Sequence, residues 1–300
     1  MYDIIIVGAG PAGMTAGIYA KRANKKVLIL EGATYGGELM ETNKIENYPG
    51  EVCISGVDLA NKFYDQVISL GVEVIFEKVI DISNNDEYKE VITSKKKYKT
   101  KTIILATGRD KRMLGLPNEK ELTGKGISYC ATCDGNFFKK QDVAIVGAGK
   151  TAIVDALYLC DIVNKVYLIY HRDAFREDVS ALDKKKNIEY VLGSDITKLI
   201  GKDKLEKIEI TKNDGTKSEL DVACLFVAIG RVPENQNFSK VIELDKDGYF
   251  VADENCHTNV PGIYACGDAR VKILRQIVTA TGDGAIAATE AIKYISKLKK

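Results

Sequence analysis

Much that would betray a function at a glance is missing from this chain. Charge of one sign is missing: over 300 residues, 43 Lys and Arg nearly cancel 42 Asp and Glu, leaving a formal charge of +1. Proteins that grip nucleic acid or an anionic membrane face carry a basic excess, so neither partner is expected. No apolar run is long enough to cross a bilayer. Met1 leads straight into Ile4-Ile5-Ile6-Val7 without the basic, apolar and small-residue succession of a signal peptide. Low complexity is confined to a lysine-rich tail, Lys297 to Lys300. Histidine is scarce, with His171 and His257 isolated, and there is a single Cys-x-x-Cys, Cys130-Ala131-Thr132-Cys133. A structural zinc site needs four ligands, so no metal is expected, half a zinc site being the competing reading of the pair. The other cysteines, Cys53, Cys160, Cys224, Cys256 and Cys266, stand singly and bring the total to an odd seven. That usage predicts a reducing, cytoplasmic setting with one working dithiol and several buried thiols.

What is present is a repeat. The first copy reads Tyr2 to Val7, then Gly8-Ala9-Gly10-Pro11-Ala12-Gly13, a helical pattern through Ala23, and a strand, Val27 to Leu30, ending at Glu31. Strand, Gly-x-Gly-x-x-Gly, helix, strand and acidic residue together form a dinucleotide-binding fingerprint. Gly8 makes the tight turn, Gly10 lets backbone reach a pyrophosphate, Gly13 lets helix and strand close up, and Glu31 is placed for a ribose hydroxyl. The bland alternative is an ordinary strand-to-helix turn.

The unit returns at Asp142 to Val146 and Gly147-Ala148-Gly149-Lys150-Thr151-Ala152, with Lys165 to Ile169 as its second strand. Tyr170 now stands where Glu31 did, followed by His171, Arg172 and, one helical turn on, Arg176. Losing a carboxylate and gaining guanidiniums favours a 2′-phosphate, so the first site reads as FAD and the second as NADPH. The competing reading of Arg172 and Arg176 is a solvated basic helix start. Each copy closes on a strand with a small-residue ending, Thr102 to Leu105 before Ala106-Thr107-Gly108-Arg109 and Cys224 to Val227 before Ala228-Ile229-Gly230-Arg231. Alternating strands with polar turns, Asn84-Asn85-Asp86 and Asn213-Asp214-Gly215, read as β-meanders covering a sheet face.

After Arg231-Val232-Pro233 no third unit follows. A short strand, Gly262 to Cys266, then Gly267-Asp268 and a small-residue helix around Gly284 to Ala288, are expected to return and complete the first domain. The fold class is therefore α/β, with two Rossmann-like dinucleotide-binding domains, the second inserted into the first: 1–112 with 233–300, and 113–232. The crossings near Lys111 to Gly115 and Arg231 to Pro233 are hinge candidates.

On these motifs the chain resembles the low-molecular-weight, flavin-dependent thioredoxin reductases from end to end. The resemblance is carried by Gly8 to Gly13, Gly36-Gly37, Ile45-Glu46-Asn47-Tyr48-Pro49-Gly50, Cys130 to Gly135, Gly147-Ala148-Gly149, and Gly267-Asp268 through Arg275-Gln276. It implies FAD and NADPH as cofactors, thioredoxin or a thioredoxin-like protein as partner, and a homodimer. It places Asn47, Ala106, Thr107, Asp268, Arg275 and Gln276 on FAD, with Asp268 on a ribityl hydroxyl. Cys133 would face the flavin, Cys130 would attack the thioredoxin disulfide, and Asp134 would manage their proton. Since a thiolate does the attacking, a helix start beneath the sulfurs suits that work; a plain helix-start carboxylate is the alternative for Asp134. Three departures stand out: the usual His-Arg-Arg is reduced to His171-Arg172 with Arg176, Glu38 replaces the usual Gln, and Lys150 replaces a common Asn.

The resulting expectation is a thioredoxin-disulfide reductase in which electrons run from NADPH through FAD to Cys130–Cys133, the inserted domain turning about its crossings to alternate nicotinamide and dithiol at the flavin. Rivals are a same-fold reductase driven by ferredoxin and a non-catalytic redox sensor or flavin scaffold.

Overall fold

A computed structural model describes residues 1–42, 44–85 and 87–298. Asp86 of the expected Asn84-Asn85-Asp86 turn, and Lys299 and Lys300 of the lysine tail, lie outside the described residues. The chain divides into two compact units, Met1–Asp110 with Val232–Lys300, and Lys111–Arg231.

In the first unit, β1 (Tyr2–Val7), α1 (Pro11–Arg22), β2 (Val27–Glu31), α2 (Gly56–Ser69) and β3 (Glu73–Phe76) build a parallel ladder in the order β3-β2-β1. A meander follows: β4 (Val79–Asn84), β5 (Lys89–Thr93) and β6 (Lys97–Leu105). β6 runs parallel to β1 along its length. On its other edge its first half pairs antiparallel with β5, and its second half pairs parallel with a late strand, Ile263–Ala265. The C-terminal segment does return. The meander is therefore continuous with the main sheet, and it also folds over one face. Ile5 and Val7 pack with Val79, Ile82, Val91 and Tyr98, whereas Ile4 and Ile6 point the other way into the helix layer with Met14, Ala16 and Ala287. Burial on both faces is why β1 reads as an unbroken apolar run.

Two short strands, β7 (Asp110–Lys111) and, at the return, Arg231–Val232, pair with each other where the chain crosses between units. The second unit begins with α3 (Glu119–Leu122), β8 (Ile127–Ser128) and a one-turn α4 (Ala131–Asp134). Then come β9 (Asp142–Val146), α5 (Lys150–Cys160), β10 (Lys165–Tyr170) and β11 (Ile188–Leu192). A separate antiparallel meander, β12 (Ser194–Ile200), β13 (Lys207–Lys212) and β14 (Lys217–Asp221), precedes β15 (Cys224–Val227). The main sheet is parallel, in the order β11-β10-β9-β15-β8, and Ile196, Leu199, Ile208 and Ile210 cover one face. The crossing strand Arg231–Val232 is β16, the late strand Ile263–Ala265 is β17, and α6 (Ile277–Leu298) ends the chain's described part.

The two parallel sheets have one topology, β3-β2-β1-β6-β17 and β11-β10-β9-β15-β8. The fifth strand differs in origin. In the first unit it arrives from downstream as β17 and runs into Gly267-Asp268; in the second it arrives from upstream as β8 and runs into Cys130.

α1 and α6 pack closely because of glycine: a Cβ on Gly284 would sit 2.1 Å from the Ala12 carbonyl oxygen, while one on Gly282 meets nothing within 4 Å. Gly284→Ala is expected to destabilise by about 1–3 kcal/mol. Gly282→Ala is expected to stabilise by about 0.5–1 kcal/mol through helix propensity. Opposite shifts in thermal unfolding midpoint are the check.

Candidate functional site

At the carboxyl ends of β1, β6 and β17 the first unit opens a cavity of about 430 Å³. It forms because backbone replaces side chain there. Gly8 has φ +107°, and a Cβ on it would lie 2.3 Å from the Ala106 carbonyl oxygen. Gly13 is closed off in the same way by the Gly8 carbonyl, at 1.9 Å. Gly10 instead has nothing within 4 Å of its Cβ position and starts α1 with Pro11 in the first turn. Pro removes a donor that has no helical partner anyway. The backbone here is bare and the helix N-terminus is open.

Of the residues expected at this site, Gly8, Gly10, Pro11, Ala12, Glu31, Gly37, Glu38, Asn47, Ala106, Thr107, Gly267, Asp268, Arg275 and Gln276 line the cavity. Gly13 and Gly36 are not among the lining residues. Gly13 provides the close helix approach, and Gly36 (φ +96°) donates its N–H to the Ala9 carbonyl at 2.8 Å and starts the 3-10 turn Gly37–Glu41 that presents Glu38. Glu31 accepts the Ala9 and Ala33 N–H groups at 2.8 and 3.0 Å, so its carboxylate ties down the glycine loop as well as facing the cavity. The Asn47 amide donates to the Gln276 side-chain oxygen at 2.9 Å.

Three supporting residues were not singled out from sequence. Arg109 lines the cavity and pairs with both Glu38 (3.3 Å) and Asp268 (3.0 Å). Asp283 is buried on α6, where it accepts from the Gly267 N–H (3.0 Å), Arg270 (2.8 and 3.0 Å) and Lys272 (2.9 Å), anchoring the turn that carries Asp268. Asn235 is fully buried, accepts the Thr107 hydroxyl at 2.8 Å and donates to the Gly248 and Ala269 carbonyls. A motif search misses them because partners lie far apart in the chain. Burial pushes the Asp268 carboxyl above its usual value, a rise that Arg109, Lys272 and Arg275 oppose.

The second unit repeats the glycine device. Gly147 has φ +125° with its Cβ position 2.3 Å from the Ala228 carbonyl oxygen, and Gly149 has open space and starts α5. Gly149, Lys150 and Thr151 are exposed, and Ala152, in place of a third glycine, is fully buried. Arg172 and Arg176 are exposed, with the Arg172 Nε–H 3.2 Å from His171 Nε2. The expected helical turn between them is absent: the stretch after β10 is a bend-rich loop. Within it Phe175 is stacked on Tyr170 and edge-on to Tyr190, contacts outside the loop that compete with a local helical turn.

At the carboxyl end of β8, Cys130 and Cys133 are joined as a disulfide. Cys130 is the N-cap of α4, and its sulfur accepts the Cys133 N–H at 3.2 Å. α4 is a single turn, so this local N–H, not a helix macrodipole, favours negative sulfur. Cys133 is exposed and Cys130 half-buried. Asp134 is held by Ser128, a buried residue also missed from sequence: its hydroxyl donates to Asp134 at 2.7 Å and accepts the Cys130 N–H at 3.1 Å. Among the described residues no cluster of three or more His, Cys, Asp or Glu could hold a metal ion, and no helix is long and apolar enough to cross a membrane.

The remaining thiols differ in kind. Cys53 is exposed; Cys160, Cys224, Cys256 and Cys266 are buried. Burial pushes Cys160 up to about 11 and Cys256 to about 12, and raises Cys224 and Cys266 well above a thiol's usual value. Thiolates react and thiols do not. A native thiol titration is therefore expected to find only Cys53 reacting in the oxidised protein, and Cys53, Cys130 and Cys133 after mild reduction.

Comparison with known proteins gives this geometry its relatives. The pyridine nucleotide-disulphide oxidoreductase family profile matches residues 2–284. A thioredoxin reductase of Listeria innocua is 39% identical over 305 residues, covering 100% of this chain and 96% of the relative. The crystal structure of Lactococcus lactis thioredoxin reductase superposes with a TM-score of 0.87 at 37% identity, covering 99% of this chain and 100% of that one. A ferredoxin-flavin thioredoxin reductase of Clostridium acetobutylicum matches with a TM-score of 0.57 at 31% identity, over 99% and 98% of the two chains. Two repeated Rossmann units, one of them bearing a Cys-x-x-Cys disulfide, are thus accounted for by descent: the chain belongs to the pyridine nucleotide-disulphide oxidoreductases.

Proposed function

We propose that the protein is a cytoplasmic thioredoxin-disulfide reductase, drawing electrons from NADPH through FAD and delivering them by way of Cys130 and Cys133. The observation that carries this reading is the formed disulfide at the end of β8, its Cys130 sulfur on a backbone N–H and its neighbour Asp134 held by Ser128.

The first-unit residues fit FAD. The bare glycine turn before α1 suits a pyrophosphate, and Asp268 Oδ1 is a buried acceptor with no hydrogen-bond partner among the described residues, as a ribityl hydroxyl would require. When bound, FAD supplies a two-electron carrier that NADPH can reduce and the disulfide can oxidise. Gly147, Gly149, Lys150 and Thr151 would hold the NADPH pyrophosphate, with buried Ala152 packing α5 close to the sheet, and Arg172 and Arg176 the 2′-phosphate.

In the reduced state the Cys130 thiolate attacks one sulfur of the partner disulfide, forming a mixed disulfide and releasing the partner's second thiolate. Cys133 then loses its proton and attacks Cys130 Sγ. That restores Cys130–Cys133 and frees the partner as a dithiol, with two electrons and two protons transferred. Asp134, placed by Ser128, is the group that moves the proton. Because the cavity and the dithiol belong to different units, the reading requires the paired crossings β7 and β16 to act as a hinge. A homodimer is proposed from the family resemblance.

Ferredoxin as donor is the second reading, favoured by the reduced basic motif and by the Clostridium acetobutylicum relative. Anaerobic flavin bleaching by NADPH, NADH and reduced ferredoxin separates the donors; bleaching by ferredoxin alone overturns NADPH. Arg172→Ala with Arg176→Ala is expected to raise KM for NADPH by about tenfold or more, since charged hydrogen bonds contribute about 1.5–3 kcal/mol each, and to leave KM for NADH nearly unchanged. Asp134→Asn is expected to slow thioredoxin-disulfide reduction by about 10²-fold or more without slowing flavin bleaching, and Cys130→Ser to abolish it; steady-state and stopped-flow assays check both.

A further inference from the structure

Glu38 is a carboxylate where the family usually carries an amide, and it lines the same cavity as a second carboxylate, Asp268. Two such groups facing one confined site repel each other, and burial penalises the Asp268 charge further. A single guanidinium answers both. Arg109 reaches Glu38 at 3.3 Å and Asp268 at 3.0 Å, both through its terminal NH2 nitrogen, and all three side chains line the cavity wall. Among the described residues the Arg109 Nε is buried without a hydrogen-bond partner, so the guanidinium is held from its NH2 end. The bond to Asp268 uses Oδ2, which leaves Oδ1 as the buried acceptor in reserve. The Asp268 backbone is fixed separately, its carbonyl accepting from Arg275 Nε at 3.3 Å. So Arg109 acts on the Asp268 carboxylate, not on the loop that carries it.

We propose that Arg109 is a positioning residue of the flavin site, compensating the Glu38 carboxylate and holding Asp268 with Oδ1 turned to the bound cofactor, so that Glu38 and Arg109 form a charge pair that tunes flavin affinity and potential. This rests on the reading of the cavity as an FAD site. Removing the guanidinium makes the site one charge more negative beside the ring system, which disfavours added electrons. Removing the Glu38 charge alone makes the site one charge less negative, which favours them. Removing both returns the net charge of the pair to where it began. A role in packing alone has no reason to produce that alternation of sign.

The test is a double-mutant cycle on the holoenzyme with Arg109→Met, Glu38→Gln and both together. Two quantities are read: flavin release on dilution, by the rise in free-flavin fluorescence, and the flavin midpoint potential, by spectroelectrochemistry. Arg109→Met is expected to weaken flavin retention about tenfold or more, the loss of one charged hydrogen bond, and to shift the potential negative. Glu38→Gln is expected to shift it positive, and the double variant to recover both the potential and at least half of the lost retention on a logarithmic scale. Retention by Arg109→Met equal to that of the unsubstituted protein, or potentials that do not move in opposite senses in the single variants, overturns the proposal. The double variant doing no better than Arg109→Met overturns it as well. An unsubstituted protein that neither carries nor takes up flavin overturns the cofactor reading itself, an outcome distinct from those.

Discussion

Everything chemical in this protein hangs on a backbone approach too close for any side chain. Twice, a glycine at the end of the first strand of a unit lies where a Cβ would come within 2.3 Å of a carbonyl oxygen on the neighbouring strand: Gly8 against Ala106, Gly147 against Ala228. Both glycines have positive φ, a region closed to most residues. That contact sets the sharp turn from strand to helix. The turn leaves the first N–H groups of α1 and α5 facing outward, next to the carboxyl ends of parallel strands. An anionic ligand is welcome there because the helix N-terminus and the unpaired N–H groups act together.

On that shared frame the two units do different work, and the difference lies in one strand position. β17 and β8 fill the same place in their sheets, but β17 delivers Asp268 and β8 delivers Cys130. Each is then steadied by a buried polar residue. Asp283 receives the Gly267 N–H along with Arg270 and Lys272; Ser128 links the Cys130 N–H to Asp134. An ion pair such as Arg270–Asp283 has desolvation to offset before it stabilises anything. Its use here is to hold one turn in one conformation. The arrangement also separates reactive from inert sulfur: Cys130 has an N–H on its sulfur, while Cys160, Cys224, Cys256 and Cys266 are buried and kept as thiols.

Much of the fold was legible residue by residue. The Gly-x-Gly-x-x-Gly motifs, the apolar strands that precede them and the Cys-x-x-Cys are local signals, each readable in a dozen neighbours. The rest of the first cavity's lining, Asn47 and Gln276 included, was expected from the family resemblance and not from any local pattern; those two side chains meet at 2.9 Å. Where local reading failed, a distant contact had prevailed. The loop at Arg172 and Arg176 is not a helical turn because Phe175 stacks on Tyr170 and meets Tyr190 from another strand. The meander of the first unit joins the main sheet because β6 is long enough to pair with β5 at one end and β17 at the other.

The order of residues alone determined the repeated dinucleotide units and the position of the dithiol, because each rests on spacing within a short window, and it pointed to the return of the last segment because that piece is too short to fold as a domain of its own. Only tertiary structure decided that Arg109 stands between Glu38 and Asp268, that Asp283 anchors the Gly267 turn and that Ser128 holds Asp134. The physical reason is that a charge or hydroxyl is defined by what it faces. Glu38 and Asp268 come to face Arg109 only once β6 and β17 lie side by side, and no periodicity in the chain records that meeting.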